Sequence, residues 1–408
     1  MRIVVLGGSG SSTPELADAF GAWPGGFDRR PPLDVVLHGR SPDKLEVVAT
    51  EFRARAGTTG PRLSVTVATD RRAALDGADA VINQVRVGGL DARVFDETFP
   101  HGFGLPGEET MGPGGFANAL RTVPSLVSTW QDIAEVAPDC LVVNLTNPAG
   151  IVHQAMRAGW PRLTVVTVCD APEAFARRIA DVLGRPIERV LDRYAGMNHV
   201  GFYIPEDPAE RPVLAGLASG FDPAVVDVFG ALPTPYVRYY LEPAAQLEAQ
   251  RQRMPRAEEL KAIDTALLSA YSSGPATERH KRGAVWYALV VVPALDGWLH
   301  GSDRPWVVGT PNNGRIPGLP DSTMIEIAHT FSPGRFDPRP APKLPPLVHL
   351  WLARHGVYEK LAADAIAAGG PRTALLAAMT ANPLVTSFAQ ADGLLSAIER
   401  RSAADRGE

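Results

Sequence analysis

The chain has 408 residues, of which 45% are hydrophobic and 21% are charged, a composition typical of globular proteins. Its formal net charge of -5, without any basic run, excludes a nucleic-acid scaffold, because phosphate binding needs clustered Lys and Arg side chains. The longest apolar run, residues 286–295, contains Pro293 and is shorter than the roughly 20 residues that span a bilayer. We therefore expect a small-molecule ligand, with no nucleic-acid partner and no membrane segment.

Two cysteines occur, Cys140 and Cys169, which is too few for a disulfide framework. The first residues pass directly into an apolar strand, without the charged and apolar regions of a secretory signal peptide. Both features suit a reducing compartment. We predict a cytoplasmic protein.

The first predicted elements are a strand, a glycine-rich loop and a helix. Arg2–Leu6 is rich in β-branched residues, and Pro14 suits the first turn of the following helix. Glycines in such a loop let backbone N–H groups approach a pyrophosphate at the positive end of the helix dipole. Thr13 replaces the third glycine of the dinucleotide-binding pattern, and a plain tight turn is the alternative. The predicted cofactor-binding residues of this loop are Gly7, Gly8, Ser9, Gly10, Ser11, Ser12 and Thr13.

The second predicted strand, Asp34–His38, lacks the acid that usually follows it in NAD-binding proteins and binds the ribose 2′-hydroxyl. Gly39, Arg40 and Ser41 stand there instead. Arg40 and Ser41 suit a 2′-phosphate, which would make the cofactor NADP, or Arg40 would stack on the adenine. NADP therefore remains an alternative to NAD.

Strands and helices alternate through the first half of the chain, which predicts a doubly wound parallel sheet. We predict an α/β protein, with a Rossmann-like domain over residues 1–195 and an α+β domain for substrate binding and oligomerisation over residues 196–408. The further strands predicted in the first half are Leu63–Ala68, Ala80–Val85, Leu141–Leu145 and Thr164–Val168.

A polar, glycine-rich passage over residues 83–115 follows the fourth strand and is predicted to be a long loop. Loops of this length without secondary structure are usually functional. Its arginines and carboxylates favour a polar, hydroxyl-rich or anionic substrate, and a solvated surface loop is the alternative. Asn83, at its start, is expected beside the cofactor.

Polar side chains end two predicted strands further on. Asn147 follows the strand that begins at Leu141, and Cys169 and Asp170 follow the next strand. Ligands bind at the carboxyl ends of strands in open α/β sheets. Cys169 together with His199 is a soft-to-borderline metal pair, whereas a buried thiol and a core histidine are the alternative.

Several short motifs, taken together and in order, resemble glycoside hydrolase family 4, the NAD- and metal-dependent glycosidases, and within it the 6-phospho-β-glucosidase-like branch. The resemblance runs along nearly the whole chain. The matching segments are residues 7–9, 13–16, 86–90, 107–110, 112–116, 119–121, 144–148, 169–170, 198–199, 236–240 and 382–385.

This resemblance implies an unusual route to glycoside hydrolysis, unlike the paired carboxylates of most glycosidases. NAD takes a hydride from C3 of the sugar, a base removes the C2 proton and the aglycone leaves from C1. Water then adds and the hydride returns. A divalent metal on the sugar oxygens would stabilise the negative charge that develops.

The resemblance also implies the roles of four residues around the reacting atoms. Cys169 and His199 would bind the metal, Mn2+ or another divalent cation. Tyr236 would be the base, with its pKa lowered by the metal and by Arg238. Asp170 would be the general acid, and because α-acting relatives can share a Cys-Asp pair here, the preferred anomer stays open.

The remaining implied roles concern the substrate. Asn147, Arg86 and Arg93 would bind the sugar, and Arg256 would receive its 6-phosphate, although a surface arginine is the alternative for Arg256. The expected protein is a homodimer or homotetramer that hydrolyses 6-phospho-β-glucosides. The alternatives are an α-acting, unphosphorylated-glycoside or sugar-acid hydrolase, an NAD(P) dehydrogenase, and a non-catalytic NAD sensor.

Overall fold

The computed structural model describes residues 1–23, 31–57, 62–218, 220–273 and 283–406. Twelve strands within these ranges form one sheet. They are β1 (Arg2–Leu6), β2 (Leu33–His38), β3 (Leu63–Ala68), β4 (Ala80–Asn83), β5 (Leu141–Asn144), β6 (Thr164–Thr167), β7 (Tyr194–Met197), β8 (Val200–Tyr203), β9 (Leu232–Pro233), β10 (Ser302–Pro311), β11 (Met324–Ser332) and β12 (Arg335–Pro338). The order across the sheet is β3-β2-β1-β4-β5-β6-β10-β11-β7-β8-β9, with β12 beside β11.

The first six strands are parallel, as the alternating pattern predicted. Side chains of β1 point alternately to two apolar cores, with Val4 in one and Ile3 and Val5 in the other. A strand that is apolar on both faces must be covered by helices on both faces. This explains why the short apolar runs of the first half read as continuously hydrophobic.

The second half of the chain continues the same sheet with antiparallel strands. The two halves meet where Gly309 of β10 pairs with Thr167 of β6. A Cβ atom on Gly309 would lie 2.8 Å from Met324 Sδ and 3.0 Å from Thr167 Cβ, so a larger residue at this junction would require Met324 to move. The predicted division of the chain at residues 195/196 falls within β7 and stays a prediction.

The helices cover both faces of the sheet. They are α1 (Glu15–Gly21), α2 (Pro42–Ala56), α3 (Arg71–Leu75), α4 (Gly89–Thr98), α5 (Gly112–Val136), α6 (Ala149–Gly159), α7 (Asp170–Leu183), α8 (Ile187–Leu191), α9 (Arg211–Ala215), α10 (Val225–Phe229), α11 (Arg238–Leu241), α12 (Pro243–Arg251), α13 (Arg256–Ser273), α14 (Val292–His300), α15 (Pro346–Ala367), α16 (Arg372–Ala381) and α17 (Phe388–Arg406). In the described part of the chain, every helix is too short or too polar to cross a membrane.

The prediction of a long loop over residues 83–115 was wrong in part. This passage contains α4, a 3-10 turn at Phe99–Phe103 and the start of α5. Helix α4 escaped the pattern because its buried side chains include two acids, Asp96 and Glu97, instead of an apolar stripe. Asp96 is paired with Arg121 of α5 at 2.6 Å, so ionic contacts replace part of the usual apolar interface.

Candidate active site

The glycine loop between β1 and α1 is held tightly against the end of β4. Gly7 has a φ of +82°, and a Cβ atom on it would lie 2.9 Å from the Gln84 carbonyl oxygen. Thr13, where the usual pattern has a third glycine, is buried, and its hydroxyl accepts a hydrogen bond from Gln84 Nε2 at 3.0 Å. Thr13 therefore keeps the loop close to β4 by a polar contact.

Helix α13, from the second half of the chain, lies over the glycine loop. Ser11 donates from its hydroxyl to Asp264 at 2.6 Å, and the Tyr271 hydroxyl donates to the Ser11 carbonyl oxygen at 2.8 Å. Tyr287 adds a third contact through its hydroxyl, which donates to Gln84 Oε1 at 2.6 Å. The loop is thus enclosed by residues that sequence reasoning did not connect with it.

The ends of β4 and β5 present a pair of buried carboxamides. Asn83 Nδ2 donates to Asn144 Oδ1 at 2.9 Å, while Asn83 Oδ1 has no partner among the described residues although it is buried. A buried carbonyl oxygen without a donor is costly unless a ligand supplies one. Together with the closely packed glycine loop, this acceptor fits the polar groups of a dinucleotide.

Cys169 and Asp170 begin α7 directly after β6, and His199 lies in the turn between β7 and β8 with a φ of +64°. Asn198 links the two segments, because its side chain hydrogen-bonds Cys169 and also donates to Glu326 at 3.0 Å. The structure therefore brings the predicted metal pair into one neighbourhood.

The His199 ring is positioned by two partners. Its Nδ1 lies 2.7 Å from Thr110 Oγ1, and its ring stacks on that of Tyr236 with centroids 4.1 Å apart and an interplanar angle of 3°. Burial lowers the pKa of His199 to about 4. Glu109 and Asp170 act to raise this pKa, but their effect is smaller than that of burial. The imidazole is therefore neutral near pH 7, the form that binds metals.

Two further pKa shifts describe the site without a cation. Burial raises the pKa of Cys169 well above its usual value, and Glu326 and Asp170 add to the shift. Burial also raises the pKa of Tyr236, with contributions from Glu108 and Cys169. The predicted lowering of the Tyr236 pKa depends on a bound metal ion and stays a prediction.

An ionic cluster surrounds Glu109, whose side chain is only 7% exposed. Arg86 and Arg93 both pair with this carboxylate, and Arg93 also contacts Glu97 at 2.6 Å. Burial alone would raise the pKa of Glu109, but the two arginines outweigh it and hold this pKa below its usual range. The predicted substrate arginines are therefore fixed in place by acids to which the sequence assigned no role.

A second polar residue that the sequence analysis missed joins this cluster to the Asn147 loop. Asn118 of α5 donates from Nδ2 to the Glu109 carbonyl oxygen at 2.9 Å and to the Asn147 carbonyl oxygen at 3.3 Å. The Asn147–Pro148 peptide bond is cis. No periodic or motif signal could single out Asn118, because it lies inside a regular helix.

A cavity of about 430 Å³ opens beside Tyr236. Arg93 and Arg256 also line it, so three predicted site residues from distant segments meet there. Arg238, which the sequence analysis placed near Tyr236, also lines the cavity, and the structure adds Glu108, Gln250 and Arg253, to which no role was assigned. Within the described part of the chain, Asn147, Cys169, His199 and Arg40 are not among the residues that line this cavity.

The parallel sheet and its glycine loop define a Rossmann-type protein, and the cavity beside Tyr236 is a second polar site. Malate dehydrogenase from Naegleria fowleri shares this fold, with a TM-score of 0.56 at 12% identity over 90% of this chain and 98% of that chain. This likeness concerns the fold alone.

Family comparisons identify the class of enzyme. Residues 3–185 match the family 4 glycosyl hydrolase model, and residues 194–385 match its C-terminal domain. The chain belongs to family 4 of the glycosyl hydrolases, which confirms the expected family and enzyme class.

Three relatives show the range of this similarity. A probable 6-phospho-β-glucosidase of Bacillus subtilis is 30% identical over 97% of this chain and 95% of its own length. Phospho-α-glucosidase PagL of Clostridium acetobutylicum is 25% identical over 97% of each. The structure of the Thermotoga maritima 6-phospho-β-glucosidase with manganese, NAD+ and glucose-6-phosphate has a TM-score of 0.87 and 27% identity, and covers 99% of both chains.

Proposed function

We propose that the protein hydrolyses 6-phospho-β-glucosides with the help of a bound nicotinamide dinucleotide and a divalent cation. The observation that carries this proposal is the stack of His199 on Tyr236, which puts a phenol beside a neutral imidazole at the edge of a cavity. Two relatives that are named as 6-phospho-β-glucosidases support 6-phospho-β-glucosides as the substrates.

The dinucleotide would lie along the glycine loop, with Asn83 Oδ1 free to accept from it. NAD is the expected form, and it is the form in the structure of the Thermotoga maritima relative. When bound, it would accept a hydride from the sugar and return it. The role of the chain is to orient it, and Gln84 does so by holding Thr13 and the Gly7 carbonyl oxygen.

The cation, which we expect to be Mn2+, would be held by Cys169 and His199 and would polarise oxygens of the sugar. Thr110 contacts the His199 ring at Nδ1, and Nε2 has no hydrogen-bond partner among the described residues. Nε2 is therefore the ring nitrogen that would bind the cation. Among the residues that the structure describes, no group of three or more His, Cys, Asp and Glu side chains could hold a metal ion. Two protein ligands would leave positions for substrate oxygens and water.

Two residues would move protons. Tyr236 would take the proton from C2, and Asp170, at the start of α7, would protonate the leaving oxygen. Burial raises the pKa of the Tyr236 phenol, and Glu108 adds to this shift. For its role as a base this pKa must fall, so activity depends on positive charge that arrives with the ligands.

The 6-phosphate would be bound at the arginine-lined side of the cavity. Arg256 lies at the start of α13 and pairs with Glu259 at 2.7 Å, and Arg238 and Arg253 line the same cavity. Arginine binds phosphate in a planar, bidentate manner. Arg93 lines the cavity as well, so four guanidinium groups surround it, and they support a phosphorylated sugar over a neutral one.

An α-acting hydrolase is the second candidate. It is favoured by Asp170, because a Cys-Asp pair suits α-acting members of the family, and by the relationship to phospho-α-glucosidase PagL. The higher identity to the Bacillus subtilis relative supports the β-anomer.

The proposal extends to the compartment, the oligomeric state and the roles of the two halves of the chain. The enzyme would act in the cytoplasm as a homodimer or homotetramer, with the cofactor held mainly by residues 1–195 and the substrate mainly by residues 196–408. Arg256 and Tyr236, both in the second range, line the cavity and support this division of roles.

The test is hydrolysis of a chromogenic 6-phospho-β-glucoside with NAD+, Mn2+ and a thiol reductant. We expect turnover that stops when a chelator is added or the dinucleotide is removed. The matched α-anomer and the unphosphorylated glucoside, run in parallel, should react at least about 100-fold more slowly. Turnover that needs neither chelatable metal nor dinucleotide would contradict the proposal, and faster turnover of the α-anomer would favour the second candidate.

A further inference from the structure

The turn that follows β2 lies directly against the glycine loop. Gly8 N–H donates to the His38 carbonyl oxygen at 2.9 Å, and a Cβ atom on Gly39 would lie 3.4 Å from Ser9 Oγ. In a Rossmann-type site this turn faces the adenosine ribose of the dinucleotide. The side chains of residues 38–44 therefore decide what the ribose 2′-position can carry.

This turn carries unpaired positive charge. Arg40 is exposed and makes no hydrogen bond or ion pair with any residue that the structure describes. Lys44 is likewise exposed, and no described acid pairs with it. Ser41 caps α2 by accepting from the Lys44 N–H at 3.5 Å, so its hydroxyl also lies at the positive end of that helix.

The acids near this turn do not take the place of the missing ribose ligand. Asp43 belongs to the first turn of α2, three residues beyond Arg40, where it complements the helix dipole. Asp70 caps α3, since its carboxylate accepts from the Ala73 N–H at 3.1 Å. Burial and Arg71 lower the pKa of His38, so His38 adds no positive charge near pH 7.

We propose that the site accepts NADP+ at least as readily as NAD+, with the 2′-phosphate bound by Arg40 and supported by Ser41 and Lys44. A carboxylate at this position would bind a 2′-hydroxyl and repel a 2′-phosphate, whereas a free guanidinium attracts the phosphate. The proposal rests on the proposed function only in that the glycine loop holds a dinucleotide.

The test measures the dissociation constants of NAD+ and NADP+ for the full-length protein without substrate, by calorimetry. We expect the constant for NADP+ to be equal to or below that for NAD+. Arg40→Asp should weaken NADP+ binding by about 10- to 100-fold, the effect of losing a charge-assisted contact, and change NAD+ binding little. Arg354→Asp, at an exposed arginine of α15, is the matched control and should change neither.

Three results would overturn the proposal. If the wild-type protein binds NADP+ more than about tenfold more weakly than NAD+, the turn does not accept the phosphate. If Arg40→Ala weakens both nucleotides equally, Arg40 stacks on the adenine they share. If neither nucleotide binds, the cofactor site of the proposed function is wrong as well, which separates that failure from the first two.

Discussion

The nucleotide end and the sugar end of this cleft are built in different ways. The nucleotide end is one continuous loop, Gly7–Thr13, which hydrogen bonds with Gln84, Asp264 and Tyr271 hold in place. The sugar end gathers side chains from separate segments around the buried carboxylate of Glu109 and the ring pair of His199 and Tyr236.

The two ends are held in shape by different kinds of contact. A short glycine loop is shaped mainly by its own backbone, so each outside contact adds little. Side chains from distant segments have no such local constraint and must be fixed by one another. The ionic and hydrogen-bonded network from Arg86 through Glu109 to Asn118 performs this task at the sugar end. Single changes should therefore matter more there.

The largest effect is expected for Cys169→Ser. Loss of the thiolate should reduce turnover by about 1,000-fold or more, since a metal contributes several kcal/mol of transition-state stabilisation. Binding of the dinucleotide, measured by calorimetry, should not change. Cys140→Ser, at a buried cysteine away from the cleft, serves as the control for the loss of a thiol. Full activity of Cys169→Ser would make Cys169 a packing residue.

Tyr236→Phe tests the base while it keeps the ring stacked on His199. We expect turnover to fall by about 100- to 10,000-fold, the usual contribution of a positioned base, with little change in KM. Tyr239→Phe removes the hydroxyl of a neighbouring cavity residue and should have a much smaller effect. Equal losses in the two variants would contradict a special role for Tyr236.

Glu109→Gln tests the ionic cluster through stability. Removing this carboxylate leaves Arg86 and Arg93 without their shared partner, and breaking a buried pair costs about 3–5 kcal/mol. Urea unfolding should report a loss of that order. Glu46→Gln, in an exposed pair with Arg53, should cost less than about 1 kcal/mol. A loss equally small at Glu109 would show that the sugar end does not depend on the cluster.

The smallest predicted effect is a dependence of the protein's stability on pH, caused by His153 of α6. His153 is buried against Thr167, and burial lowers its pKa to about 3. Below pH 6.5 the unfolded chain binds a proton that the folded one does not, so stability falls as the pH falls.

At pH 5 this loss is about 2 kcal/mol relative to pH 7.5, and His153→Asn should remove that part of the slope in urea unfolding. His300→Asn, at a more exposed histidine, is the control. An unchanged slope in His153→Asn would mean that His153 is protonated in the folded protein.

The parallel half of the fold could be predicted from the sequence because its signals are local. Apolar runs such as Arg2–Leu6 must be strands buried on both faces, and the glycine loop follows one of them directly. The antiparallel continuation through β10 and β11 could not be predicted, because strand order depends on pairings between distant segments. Helix α4 was missed because it buries acids.

The site was predictable to a similar extent. Residue types with distinctive chemistry, such as Cys169 and His199, could be recognised by motif. The partners of Glu109, Asn118 and Gln84 could not be predicted, because acids and amides occur everywhere and their roles depend on the side chains that folding brings to them. The burial that raises the pKa of Tyr236 likewise depends on how distant segments pack together, and Glu108 and Cys169 from other segments add to the shift.

Hydrolysis in D2O tests the central claim, that this site works by oxidation and elimination, most directly. If Tyr236 removes the C2 proton, the glucose-6-phosphate released from a 6-phospho-β-glucoside must carry deuterium from the solvent at C2. Mass spectrometry and NMR of the product should show this incorporation. Hydrolysis that proceeds with the original hydrogen retained at C2 would contradict the account, because direct displacement at C1 never breaks that bond.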